Sequence, residues 1–169
     1  ASNRYKAIAN YIKESNLAEY GPDIYVQGSM KLGTAIKPLT EDGAYDIDIV
    51  CNLTRKRRQH QTQKELKDEL GKVVKNYSLK YNMENFPEES NRCWTLNYVD
   101  ESKFHIDILP AVPWNDTDDG NIAISDKRSG NYENITLDWE VSNPKGYSDW
   151  FKKQSDFQLI KESYAKRFY

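Results

Sequence analysis

Apolar residues recur at two different spacings along this chain, and the alternation between them outlines a fold. Tyr5, Ile8, Ala9 and Ile12 fall three to four apart, with Lys13 and Glu14 facing out, so residues 3–17 read as a helix. Asn16 and Gly21-Pro22 end it. Residues 24–27 (IYVQ) are β-rich and read as a strand. Gly28-Ser29 breaks that strand, a short helix is expected over 30–35, and a loop over 37–43 contains Pro38 and Asp42-Gly43. The clearest strand is 44–52. There Tyr45, Ile47, Ile49 and Cys51 fall on one face, and Asp46, Asp48 and Val50 on the other.

Downstream, a polar helix over 61–77 carries one apolar stripe of Leu66, Leu70, Val73 and Val74. A strand is expected over 79–83 and a loop with Pro87 over 85–91. Strands at 92–99 and 103–109, joined by a turn at 100–102, read as a hairpin. Pro110, Pro113 and Trp114 are expected to end the sheet, followed by an Asp-rich turn at 115–121 and a short strand at 122–125. Pro144-Lys145-Gly146 marks a boundary, and a helix is expected over 147–168. The pattern predicts an α+β fold, a mixed central sheet flanked by helices, with residues 1–169 as one domain.

Alternation along a strand gives the first chemical candidate. Asp46 and Asp48 are two residues apart, so both carboxylates project from one face, roughly 6–7 Å apart at the backbone. In KFHIDIL, His105, Asp107 and Leu109 share a face. If the two strands are neighbours, Asp107 joins Asp46 and Asp48 on one surface. Three carboxylates so close repel unless a cation lies among them. Magnesium suits such oxygen ligands, and two such ions form the arrangement used for in-line phosphoryl transfer. The bland alternative is a solvated edge-strand face, but YDIDIVC has the flanks of an interior strand.

The turn before that strand is a second candidate. Gly28 permits a sharp turn or a close approach, Ser29 offers a hydroxyl, and the helix start that follows favours phosphate. Lys31 adds a positive charge. Residues 28–34 superficially match a P-loop, but Thr34 stands where the lysine is needed, which argues against a P-loop NTPase.

Composition narrows the classes. The chain has 169 residues, 38% hydrophobic and 30% charged, as in a folded water-exposed domain. No run approaches the ~20 apolar residues that span a bilayer, and no secretion signal is evident, so a cytoplasmic protein without a membrane partner is expected. A net charge of -2 argues against coating long nucleic acid. Cys51 and Cys93 have no zinc spacing and read as buried free thiols. Sequons at Asn52, Asn115 and Asn134 read as chance matches. His105 could touch the site from the same face as Asp107, although a packed strand histidine is the commoner case. His60 reads as exposed. The run 55–58 (RKRR) reads as a solvated loop or a surface meeting phosphate or a partner. Residues 115–126 loosely echo an EF-hand loop but lack flanking helices. Trp94, Trp114, Trp139 and Trp150 read as packing residues.

Gly-Ser, an Asp-x-Asp strand and a later single Asp resemble the DNA polymerase β-like nucleotidyltransferases. QGSMKLGTAIKP, YDIDIVCNL, RCWTLNY, FHIDILPAVP and SNPKGYSDWF are similar to one branch, the cGAS/DncV-like nucleotidyltransferases or CD-NTases. The resemblance implies a nucleotidyltransferase fold in which Asp46, Asp48 and Asp107 ligate two Mg²⁺ ions, with Mn²⁺ as the substitute. It also implies that Gln27, Gly28 and Ser29 hold the nucleotide, with Ser29 on the triphosphate. NTP substrates, ATP foremost, would be joined into a cyclic oligonucleotide with release of pyrophosphate, as a second messenger in antiphage defence (CBASS). A regulatory protein partner and a further helical lobe, absent from these residues, are implied too. A related enzyme modifying RNA or protein, or a non-catalytic nucleotide-binding domain, are the alternatives.

Overall fold

A computed structural model describes residues 2–34, 45–98, 104–117 and 119–167. The expected loop at 37–43 and turn at 100–102 lie outside the described residues. The elements run α1 (Ser2–Glu14), a 3-10 turn (Ala18–Tyr20), β1 (Pro22–Gln27), α2 (Gly28–Leu32) and β2 (Tyr45–Leu53). They continue through α3 (Gln63–Lys80), β3 (Glu88–Glu89), β4 (Trp94–Tyr98), β5 (Phe104–Pro113), β6 (Ile122–Ile124), β7 (Glu140–Ser142) and α4 (Pro144–Arg167).

The strands form one mixed sheet in the order β1-β2-β5-β4-β3, with β6 and β7 continuing from β5. β2 and β5 run parallel; β1 and β4 are antiparallel to them. The expected hairpin of β4 with β5 is present, with Leu96 opposite Ile106. One face of the sheet forms the main core. Ile47, Ile49, Cys51, Trp94, Leu96, Phe104, Ile106 and Ile108 meet Ile8 and Ile12 of α1 and Leu66, Leu70, Val73 and Val74 of α3. Each fully buried aliphatic side chain of this kind contributes ~1.5–3 kcal/mol. The other face carries a smaller cluster, Val50, Leu109, Ala111, Ile122 and Ile124, with Tyr25 and Cys93 against it.

Several expectations are corrected. Residues 79–83 form no strand: α3 runs on to Lys80, and a turn follows in which Met83 N–H donates to Ser78 O at 2.9 Å. The apolar run there is a helix end, not a strand. β5 does not stop at Pro110 but continues to Pro113. On one edge it pairs β4 up to Ile108 and then β6 from Ala111, so Pro110 sits in the interval between the two, where a missing N–H costs the ladder least. α2 starts at Gly28 rather than Met30, and α4 at Pro144 rather than Tyr147. The short strands β3 and β7 carried no alternation long enough to be read. Trp94 and Trp139 are buried and Trp114 is half-buried, but Trp150 is exposed.

α3 also holds β4 in place. Thr62 and Glu65 form a reciprocal capping box, at 3.0 and 2.7 Å, that starts the helix. One face then meets the Trp94 indole, whose Nε1 donates to Lys67 O at 2.9 Å. Gly71 makes room for the ring: a Cβ there would lie 2.3 Å from it. Lys67 itself is fully buried, its ammonium donating to Asn91 O at 2.7 Å and to Ser90 O, which anchors the segment entering β4. A mid-helix Gly→Ala change normally stabilises by about 0.4–1 kcal/mol. Gly71→Ala should instead lower the unfolding free energy by about 1–3 kcal/mol in urea titrations, because overpacking outweighs helix propensity.

Candidate active site

The parallel pairing of β2 with β5 brings the carboxylates together. In its register Asp48 is the Cα partner of Asp107, and Asp46 of His105. Asp46 and Asp48 share a face, as their spacing requires, and Asp107 is on that face too. Adjacent pairings extend the row sideways. Gln27, the last residue of β1, lies opposite Asp48, and Thr95 of β4 lies opposite Asp107. A polar band therefore crosses the sheet beside the small apolar cluster of Val50 and Leu109. Asp46 is exposed, whereas Asp48, Asp107 and Gln27 are half-buried.

Gly28 is bound tightly to this geometry. Its φ is +67°, a region that disfavours side chains, and a Cβ would lie 2.2 Å from Asp48 Oδ2. The backbone at the start of α2 thus leans on the Asp48 carboxylate. α2 has only five residues, so its dipole is small. Any contribution to anion binding comes from local N–H groups and the half-buried Ser29. The N-cap residue Gln27 makes no side-chain capping bond. Lys31 is exposed and lines a cavity of about 490 Å³ with Tyr25 and Lys145.

The electrostatics follow from the crowding. Burial, then Asp107, then Asp46 push the Asp48 carboxyl above its ordinary value. Cys93, behind the same face, is pushed up to about 12 by burial first and then by Asp107 and Asp48. Cys51 is also raised to about 12, chiefly by burial. Both are free thiols, and protonated at neutral pH; Cys51 is buried, Cys93 half-buried and just ahead of β4 rather than in a strand.

Two residues that the sequence reading did not single out contact the site from β4. Thr95 Oγ1 donates to Asp107 Oδ1 at 2.5 Å. Asn97 Nδ2 donates to Glu88 Oε1 at 2.8 Å, which leaves Asn97 Oδ1 to accept from His105 Nδ1 at 2.5 Å. Their signal was present: in WTLNY they alternate with the buried Trp94, Leu96 and Tyr98. The basic run at 55–58 is largely spent inside the domain. Arg55 donates to Glu19 O, Arg57 pairs with Asp116 at 2.8 Å, Lys56 with Glu69, and Arg58 stacks 3.5 Å over Trp114.

Among the described residues, no three His, Cys, Asp or Glu side chains are gathered closely enough to form a finished metal cage. Magnesium is commonly held by one or two carboxylates with waters and substrate phosphates, not by an all-protein cage. The donor set fits that use. It is made of hard oxygens, with Asp48 and Asp107 in-register neighbours and Asp46 two residues along the same face.

A mixed sheet with helices on one face and a carboxylate band on the other is the α+β architecture of a nucleotidyltransferase domain. Solved structures of similar shape include the CD-NTase CdnG of Bradyrhizobium diazoefficiens in complex with GTP, at TM-score 0.66 and 22% identity, covering 89% of this chain and 40% of that one. CdnC of E. coli MS115-1, solved in complex with HORMA-deltaN, matches at TM-score 0.60 and 14% identity, covering 92% and 44%. In sequence, the c-di-GMP synthase of Roseivirga ehrenbergii is 27% identical over 149 residues, 87% of this chain and 36% of that protein. Residues 22–110 match the family described as cyclic GMP-AMP synthase DncV-like, nucleotidyltransferase domain, and the chain belongs to that family. It spans about a third of the Roseivirga relative's length. Among the described residues no helix is long and apolar enough to cross a membrane.

A carboxyl whose folded pKa is raised adds stability that is fully present below the unfolded value and lost as pH rises through the folded one. Asp48→Asn should therefore raise the melting temperature of the cation-free protein at neutral pH by a few degrees. The gain should vanish below about pH 4, where the unfolded carboxyl also protonates. Gly28→Ala should lower stability by about 1–3 kcal/mol in urea, through strained φ and displacement of Asp48.

Proposed function

We propose that this domain is a Mg²⁺-dependent nucleotidyltransferase that joins NTPs into a cyclic oligonucleotide second messenger. One observation carries the reading: in a chain of this family, Asp48 and Asp107 are in-register neighbours on parallel strands, with Asp46 two residues along the same face. Asp46, Asp48 and Asp107 would hold two divalent cations, magnesium in the cell and manganese as a substitute. When bound, such cations lower the pKa of the attacking hydroxyl and offset charge on the triphosphate. Gln27, Gly28 and Ser29, at the junction of β1 and α2, would hold the nucleotide, with Ser29 on its phosphates. The ribose hydroxyl gives its proton to solvent as its oxygen bonds to the α-phosphorus, the bond from the α-phosphorus to the bridging β-phosphate oxygen breaks, and pyrophosphate leaves.

GTP bound to the Bradyrhizobium neighbour and the c-di-GMP product in the Roseivirga relative's name support GTP as a substrate beside ATP. The HORMA-deltaN complex of CdnC supports a regulatory protein partner. Antiphage signalling in the cytoplasm is the role that fits such a product, and a second helical lobe would close the open face over the substrate.

Labelled NTPs incubated with the intact protein and Mg²⁺ should yield a cyclic product and pyrophosphate by mass spectrometry. Asp46→Asn or Asp107→Asn should reduce turnover by about 10³-fold or more while the circular dichroism spectrum stays unchanged. That is the loss expected on removing several kcal/mol of charge stabilisation. Product undiminished in either variant would sink the reading, and labelled RNA or protein in place of a cyclic product would point to the related modifying enzymes.

A further inference from the structure

β4 lies next to β5 and brings no carboxylate to the face, yet two of its side chains reach across to the site. Thr95 is directly opposite Asp107, and its hydroxyl donates to Asp107 Oδ1 at 2.5 Å. Among the described residues Asp107 Oδ2 accepts no hydrogen bond. Two residues along, Asn97 Oδ1 accepts from His105 Nδ1, and the Asn97 amide donates to Glu88. The opposite face of β4 is locked into the core by Trp94, Leu96 and Tyr98. Thr95 is thus a donor on a rigid strand rather than on a loop.

We propose that Thr95 is a positioning residue for Asp107, holding one carboxylate oxygen so that the other is presented to the cation and the nucleotide phosphates. The inference rests on the metal-dependent reading above. A carboxylate facing Asp48 without a cation between them is repelled, and it gains by rotating away from the shared face. A charge-assisted hydrogen bond to Oδ1 opposes free rotation about the side-chain torsions. The hydroxyl has one proton to give, and Asp107 receives it. Outer-shell partners of this kind set ligand orientation in metal sites, and their loss typically weakens metal binding by about 10–100-fold.

The test measures Mn²⁺ affinity by electron paramagnetic resonance on the intact protein with GTP present, beside urea unfolding of the same samples. Thr95→Val keeps the shape and removes the donor; it should weaken Mn²⁺ binding by about 10-fold or more and leave the unfolding midpoint near that of the wild type. Thr95→Ser keeps the hydroxyl and should bind close to wild type. If the valine variant fails to fold, Thr95→Ala removes the same donor and takes its place. Wild-type Mn²⁺ affinity in Thr95→Val, with affinity lost in Asp107→Asn, overturns the positioning role and leaves the metal site standing. Equal weakening in Thr95→Ser and Thr95→Val overturns it as well, since the hydroxyl would then not matter. Undiminished affinity in Asp107→Asn removes the metal site itself, and the role of Thr95 with it.

Discussion

The open face of this domain depends on one pairing, the parallel ladder of β2 with β5. That ladder sets Asp48 against Asp107 and Asp46 against His105. A shift of one residue would turn Asp107 into the core and a buried isoleucine out to solvent, so the burial of Ile47, Ile49, Ile106 and Ile108 fixes the alignment of the acids. Core packing and site geometry are therefore one constraint. The hydrophobic face chooses the register, and the register places charge beside like charge.

That placement is unfavourable in isolation. Asp48 is half-buried, faces another carboxylate, and touches the backbone of Gly28, which holds a left-handed conformation. A sheet selected for stability alone would not keep these features together. Positive charge supplied to the face would relieve the repulsion, and the turn at Gly28, with no room for a side chain, packs onto the same Asp48 carboxylate. Two basic side chains of the domain are already spent in ion pairs. Lys145 pairs with Asp23 at 2.8 Å, and Arg57 with Asp116.

The support behind the site comes from farther away. α3 buries Lys67 to anchor the backbone ahead of β4, and Gly71 admits the Trp94 indole. These contacts fix β4, and β4 presents Thr95 and Asn97 to the residues of β5. The path from helix packing to carboxylate orientation passes through two layers of side chains. Each layer is held by hydrogen bonds or close contact rather than by a mobile loop.

Much of this was legible in the residues themselves. The period-two pattern of YDIDIVC and KFHIDIL showed both strands and which faces carried Asp46, Asp48 and Asp107, because side-chain alternation is a local property of the extended backbone. The 3.6-residue stripe of α3 and the break at Gly28-Ser29 were local in the same sense. Misreadings fell where tertiary contacts overrule local preference: the supposed strand at 79–83 continues and ends a packed helix, and Pro110 is tolerated inside β5 because it sits between two partner strands. Strand order and direction were beyond the sequence, since no residue records which strand it will pair with. Only the folded sheet set Asp48 beside Asp107, brought Thr95 to the carboxylate, buried Lys67, and left Gly28 no room for a side chain. Each of these depends on residues far apart in the chain meeting in space, and a local pattern carries no information about that meeting.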